Sequence, residues 1–289
     1  MTFTEDLQCP EGPVALKDGS WLVVEGGERG CVTHISQDGQ RKRIIAKGGL
    51  PNGLAMDSQG AIWVAEPRTP SLVRATMDGE ASVFMTECNG EPFLYPNDLC
   101  FGPDGALYMT DSGILMDDFE PGGRIRRDYM NVSVDGRVYR IDIKAHTIIK
   151  LDSGIRFTNG IAFGPADNLY VNETMTGMIY RYQWKDRQIV GSRQNFGNVL
   201  SGEGHDSMKG PDGMAFGADG RLYVAVYGQG DVTVLGKEGQ VLERITTKGI
   251  MPTNVAFGLP GQRRIYVTEY ELGRIEVFDV ETDGLPLWG

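Results

Sequence analysis

Hydrophobic and polar positions alternate along this chain in short bursts. Ile62-Trp63-Val64-Ala65-Glu66, Leu107-Tyr108-Met109-Thr110-Asp111 and Leu222-Tyr223-Val224-Ala225-Val226 are each five residues long and rich in β-branched or aromatic side chains. Gly, Pro, Asn and Asp bound them, which is the pattern of strands closed by tight turns. No segment carries a convincing 3.6-residue apolar stripe over ten or more residues, so helical repeats are disfavoured.

The bursts belong to a longer unit that recurs. Pro51-Asn52-Gly53-Leu54-Ala55-Met56 leads through an Asp-x-x-Gly turn to the strand at 61–66. Pro96-Asn97-Asp98-Leu99-Cys100-Phe101, Thr158-Asn159-Gly160-Ile161-Ala162-Phe163 and Pro211-Asp212-Gly213-Met214-Ala215-Phe216 open equivalent units, with weaker copies at Pro10-Glu11-Gly12-Pro13 and Pro252-Thr253-Asn254-Val255. Aligned on the second residue, the units step by 41, 45, 62, 53 and 41 residues. About forty residues suits a four-stranded blade, and blades cover their apolar faces only by packing radially. The expectation is an all-β, six-bladed β-propeller forming one domain over residues 1–289. Met1 to Gln8 is expected to pair with the last blade and close the ring. The 62-residue step implies a loop insertion at about 113–135, whose mixed charges read as a solvated loop or a functional one. The 53-residue step places His205 and Asp206 in a second long connection, Gly191 to Gly210.

Composition agrees. With 40% hydrophobic residues among 289, the chain buries a sizeable core, and its 40 glycines are about twice ordinary usage, as many turns require. A net charge of −11 argues against nucleic acid and anionic membranes as partners. Without an apolar run of membrane-spanning length or a signal-peptide pattern, a cytoplasmic protein is expected. Cys9, Cys31, Cys88 and Cys100 form no C-x-x-C pair and read as buried thiols.

In a propeller the innermost strands all begin beside the central channel, so one repeat position becomes a ring. Here the ring reads Glu11, Asn52, Asn97, Asn159, Asp212 and Thr253, six oxygen-bearing side chains with two carboxylates and no basic residue. Hard oxygen donors of that charge suit Ca²⁺, with Mg²⁺ or Mn²⁺ also compatible. Asn-Gly and Asp-Gly are equally strong turn dipeptides, but Glu11 is a poor turn former and Asn97 precedes Asp98 in place of Gly.

The segments Glu11-Gly12-Pro13, Pro96-Asn97-Asp98, Thr158-Asn159-Gly160 and Pro211-Asp212-Gly213-Met214, in this order, resemble the gluconolactonase and regucalcin (senescence marker protein) family. The resemblance covers nearly the whole chain. It implies a six-bladed propeller, one divalent cation (Ca²⁺ first, otherwise Mn²⁺, Mg²⁺, Fe²⁺ or Zn²⁺), and hydrolysis of a small lactone. It also implies ligands at Glu11 and Asp212, at Asn159 and, directly or through substrate and water, at Asn97. Animal members carry an arginine two residues before the asparagine of the third motif; this chain has Tyr95, so its substrate is read differently.

Opening a ring ester needs a polarised carbonyl and a nucleophilic water, both of which a cation assists. Asp212 is the expected general base and Glu11 the anchor. His205 is either a proton shuttle or an ordinary surface histidine. A second ring, Glu25, Glu66, Asp111, Glu173 and Glu269, either serves the site or ties blade to blade; Asp111 and Glu173 are its candidate substrate-binding members. Tyr95 and Tyr227 either stack on a ring substrate or pack the rim. An organophosphate hydrolase with the same metal floor, or a non-catalytic propeller for protein partners, are the competing readings. No G-x-S-x-G, H-E-x-x-H or P-loop is present, which disfavours serine hydrolases, zinc peptidases and nucleotidases. Oligomeric state is not legible.

Overall fold

The apolar bursts become strands, and the strands form six four-stranded antiparallel sheets in a ring, in a computed structural model that describes residues 1–202 and 207–289. The fold is a six-bladed β-propeller. The innermost strands are Pro10–Ala15, Leu54–Met56, Pro96–Phe101, Thr158–Phe163, Gly210–Phe216 and Pro252–Phe257, in blades one to six. Each packs beside the next, and the sixth beside the first. The turn from first to second strand follows the Asp-Gly chemistry: at Asp104-Gly105, Gly105 sits at φ +76 while Gly102 and Ala106 exchange the closing bond.

Ring closure is as expected. Thr2–Thr4 adds antiparallel to Arg274–Asp279 as the outer strand of blade six, so the two chain termini share one sheet. At the channel end remote from the repeat motifs, the last residues cross beneath the ring. Leu285 N donates to Phe216 O of blade five, and Trp288 bridges to Phe101 of blade three.

Hydrophobic packing lies between blades, one cluster for each of the six neighbouring pairs. In blades three, four and five the Tyr of the second strand meets the Phe of the next blade's inner strand. Ring centroids are 4.8 Å apart for Tyr108 and Phe163, 4.7 Å for Tyr170 and Phe216, and 5.1 Å for Tyr223 and Phe257. Each such pair contributes about 1 kcal/mol beyond area burial. A seventh cluster lies outside this series and joins Ile114 and Phe119 of the insertion to Phe157, Met175 and Met208.

The repeat motif proves to be a bulge in place of a turn. In blade three Pro96 pairs with Asp111 and Leu99 with Met109, so one residue too many lies on the inner strand; blades one, four and five show the same slip at Glu11–Val14, Thr158–Ile161 and Pro211–Met214. A bulge breaks the alternation and re-aims side chains, here toward the channel mouth. It also brings neighbouring blades to near backbone contact. A Cβ on Gly160 would lie 2.2 Å from the Asp212 carbonyl oxygen, and one on Gly213 would lie 2.0 Å from the Asn254 side chain.

The 53-residue step resolves differently from the sequence expectation. Much of its length is an extended outer hairpin, Met178–Lys185 with Gln188–Asn198, so the connection to blade five starts only after Asn198. Among the described residues no helix is long and apolar enough to cross a membrane.

Gly160→Ala should destabilise the protein by about 3 kcal/mol in denaturant titration, because backbone of the next blade must move. Gly105→Ala, with open space around it, should cost only about 1 kcal/mol of positive-φ strain. Equal costs would show that the close approach at the channel is not a constraint.

Candidate functional site

The starts of the inner strands deliver Glu11, Asn52, Asn97, Asn159, Asp212 and Thr253 to the floor of one cavity of about 450 Å³. Glu11, Asn97, Asn159 and Asp212 are all buried. Their orientation follows from neighbouring donors. Asn254 Nδ2 and the Gly12 N–H both donate to Glu11 Oε2, at 3.0 Å for Asn254, leaving Oε1 with no donor among the described residues. Asn97 Nδ2 donates to Ser112 Oγ at 3.0 Å, and Ser112 Oγ donates to Thr158 O at 2.8 Å, which turns the Asn97 amide oxygen the other way. Thr110 donates to the Asn159 carbonyl at 2.6 Å, and Asn172 Nδ2 to the Asp212 carbonyl. The backbone that carries the ring residues is therefore pinned by polar side chains from second strands.

Electrostatically the floor is all acid. Burial pushes the Asp212 carboxyl well above its ordinary range, and the charges of Glu11 and Asp98 push it further; the Asn159 side chain and the Gly213 N–H partly offset this. Glu11 is raised by burial and then by Asp98. Asp98 is raised by burial to about 7. Among the described residues none of the three forms an ion pair. Carboxylates buried together without a cation hold protons or bind a metal. Among the described residues no three His, Cys, Asp or Glu side chains are arranged as a metal cluster. A cation here would rest on mixed donors, Glu11 and Asp212 with the carboxamides of Asn97 and Asn159, a hard set that fits a divalent ion such as Ca²⁺.

The walls are aromatic and the roof is the insertion. Tyr95, Tyr227, Tyr270 and Phe157 line the sides. Residues 116–127 fold over the mouth as a short helix, Met116–Phe119, followed by a returning segment of irregular backbone. Phe119 packs on Phe157 at 4.5 Å between centroids, and Glu120, half-buried against the cavity, accepts from Tyr95 Oη at 3.3 Å. Tyr129 Oη donates to Ser207 O and Arg156 Nη2 to Met130 O, which tie the insertion down at two points.

Tyr95 and Tyr227 thus line the cavity with the four ring residues. Asp111 and Glu173 do not. Asp111 accepts from the N–H groups of Leu94, Tyr95 and Gly113 at 2.7–3.0 Å, and Glu173 from Arg156 N and Thr176 Oγ1. Glu25, Glu66 and Glu269 are used in the same way, so the outer acidic ring holds the loops that carry the site. Its break at Tyr227 lets an aromatic side chain reach the cavity in blade five. His205 lies outside the described residues; Ser207 and Met208, just beyond it, border the cavity. Sequence reasoning missed Asp98, Glu120 and the role of 113–135 as a roof. Asp98 had a signal, since it stands where every strong repeat has glycine.

With this geometry in place, comparison with known proteins is informative. A family model described as SMP-30/Gluconolactonase/LRE-like region matches residues 9–271. The chain belongs to that family. Among relatives in the SMP-30/gluconolactonase family, diisopropyl-fluorophosphatase of Loligo vulgaris is 28% identical over 97% of this chain and 92% of the relative. Gluconolactonase of Zymomonas mobilis is 25% identical over 94% and 80%. The calcium-binding protein regucalcin of Agrobacterium tumefaciens superposes with a TM-score of 0.78 at 20% identity, covering 99% of this chain and 97% of that one. The lactonases in the family support a hydrolase.

The acidic floor has a consequence for stability. A carboxyl whose native pKa is raised binds its proton more tightly folded than unfolded, so its contribution is complete below the ordinary value of 3.8 and is lost as pH rises through about 7 for Asp98. Freed of divalent ions by chelator, the protein should lose about 3 kcal/mol between pH 5 and pH 8, lowering Tm by about 5–10 °C. Glu11→Gln, which keeps an acceptor for Asn254, should flatten that slope. A pH-independent Tm over this range would contradict the burial of unpaired acid at the floor.

Proposed function

We propose that the protein is a divalent-metal-dependent hydrolase that opens a small lactone, a sugar aldonolactone or similar ring ester. One observation carries this reading: two buried carboxylates and two carboxamides, with no basic residue, form the floor of a cavity sized for a single ring. Kinship with lactonases supports the choice of ester. Glu11 and Asp212, with Asn97 and Asn159, would hold the ion, Ca²⁺ before Mn²⁺, Mg²⁺, Fe²⁺ or Zn²⁺. When bound, it supplies Lewis acidity for the ester carbonyl and the attacking water.

The chain's own residues supply the rest. Asp212 takes the proton from the attacking water, since a carboxylate that holds the ion through one oxygen has a second to reach that water. Tyr95 and Tyr227 flank the ring. Tyr95 stays protonated, because burial and Glu120 hold its hydroxyl well above the usual phenol range. Water attacks the carbonyl carbon, the ring C–O bond breaks, and the alkoxide accepts the proton; His205 is assigned to that shuttle. A second reading is favoured by the Loligo vulgaris relative, whose similarity spans almost the whole chain: hydrolysis of a phosphofluoridate on the same floor.

Chelator-stripped protein recharged with Ca²⁺, Mn²⁺ or Zn²⁺ should open an aldonolactone at rates that track metal content, and a phosphofluoridate tested at equal loading decides between the two readings. Metal-independent activity, or none on a broad lactone panel, would sink the lactonase. Asp212→Asn should keep the fold and lose about 10²-fold or more in kcat, and His205→Ala about tenfold. Unchanged kcat in the first would remove Asp212 as base.

A further inference from the structure

The acidic floor has a counterpart of opposite sign at the mouth, and opening a neutral ring ester makes no use of it. The insertion contributes Arg124, Arg126 and Arg127 to the cavity lining. Arg126 is committed: its Nε and Nη2 bind the two oxygens of Asp128 at 2.7 and 2.8 Å, and its Nη1 donates to Asp118 O at 3.3 Å. Arg124 and Arg127 are exposed at the rim and form no ion pair among the described residues. Their backbone is anchored, because Ile125 between them packs into the insertion's apolar cluster and Arg126 N donates to Phe119 O at 3.1 Å. An anchored segment therefore carries two guanidinium groups at the rim of a cavity whose wall, at Glu120, and floor, at Glu11 and Asp212, are acidic.

That arrangement sorts ligands by charge and by direction. On a chain of net charge −11 an anionic substrate is repelled everywhere except where basic groups offset the field. The floor offers an oxyanion no basic side chain, whereas a guanidinium at the mouth matches a carboxylate, phosphate or sulfonate with paired hydrogen bonds. A molecule with an ester at one end and an oxyanion at the other would enter with the ester down.

We propose that Arg124 and Arg127 select ring esters bearing an anionic group remote from the ester, a proposal that rests on the hydrolase reading above and narrows its substrate class. The test compares a neutral aldonolactone with the same lactone carrying a terminal phosphate, and with one carrying a terminal carboxylate. The native protein should favour the anionic lactones by about tenfold in kcat/KM, chiefly through KM. The preference should shrink as salt is raised to about 0.5 M. Arg124→Gln/Arg127→Gln should lose it, and Arg124→Glu/Arg127→Glu should discriminate against the anions. No preference in the native protein, or one surviving in both variants, overturns the proposal. If the native protein opens none of the lactones, the lactonase reading falls by itself. Calorimetry with the ring-opened phosphorylated acid and its unphosphorylated counterpart then decides the arginines. Tighter binding of the phosphorylated acid by native protein but not by the double glutamine variant supports them, and equal binding overturns them.

Discussion

Six inner strands share one axis, and their crowding governs everything built around it. Where the Asp212 carbonyl lies 2.2 Å from the place a side chain on Gly160 would start, the blades have no slack. In blades three, four and five the inner strand relieves the crowding with an extra residue, and Asn97, Asn159 and Asp212, which lie in those bulges, turn into the channel mouth. The same local irregularity therefore packs the ring and supplies the site.

Concentrating acids at such a point is costly. Glu11, Asp98 and Asp212 are buried within one another's field, and each buried charge without a partner costs several kcal/mol. The fold offsets this around the floor and not within it. Aromatic pairs between blades, the hydrogen bonds of Ser112, Thr110, Asn172 and Asn254, and the outer acidic ring that holds the loops all rigidify the backbone bearing the acids. Strand pairing of the two termini in blade six keeps the ring from opening to relieve the repulsion.

How much of this could be read from the chain depends on whether the feature is periodic. The six blades and the ring of Glu11, Asn97, Asn159 and Asp212 were legible because the repeat sets them in register. Asp98 was visible as a departure from that repeat, but its meaning was not: only the bulge, invisible in a turn-like Asn-Asp pair, places it behind Glu11 and Asp212. The outer acids illustrate the opposite error. Asp111 and Glu173 stand in register with ligand-bearing strands, yet backbone N–H groups occupy their oxygens, and no pattern of residue types distinguishes an acid facing a cavity from one facing a loop.

The insertion is the least periodic segment and the one whose mixed charge was most ambiguous. Its charged residues read as solvated because their spacing serves no regular element, while the apolar residues that fix it, Ile114, Phe119 and Ile125, are scattered among them. Those few contacts make the difference between a loose loop and a roof. The floor is assembled from one repeat position and presents oxygen donors clustered near the axis, so it has little capacity to choose among ring esters. Choice must come from parts that are not repeated, and here these are Tyr95 and Tyr227 on the walls and the segment that holds Glu120 and the arginines above them.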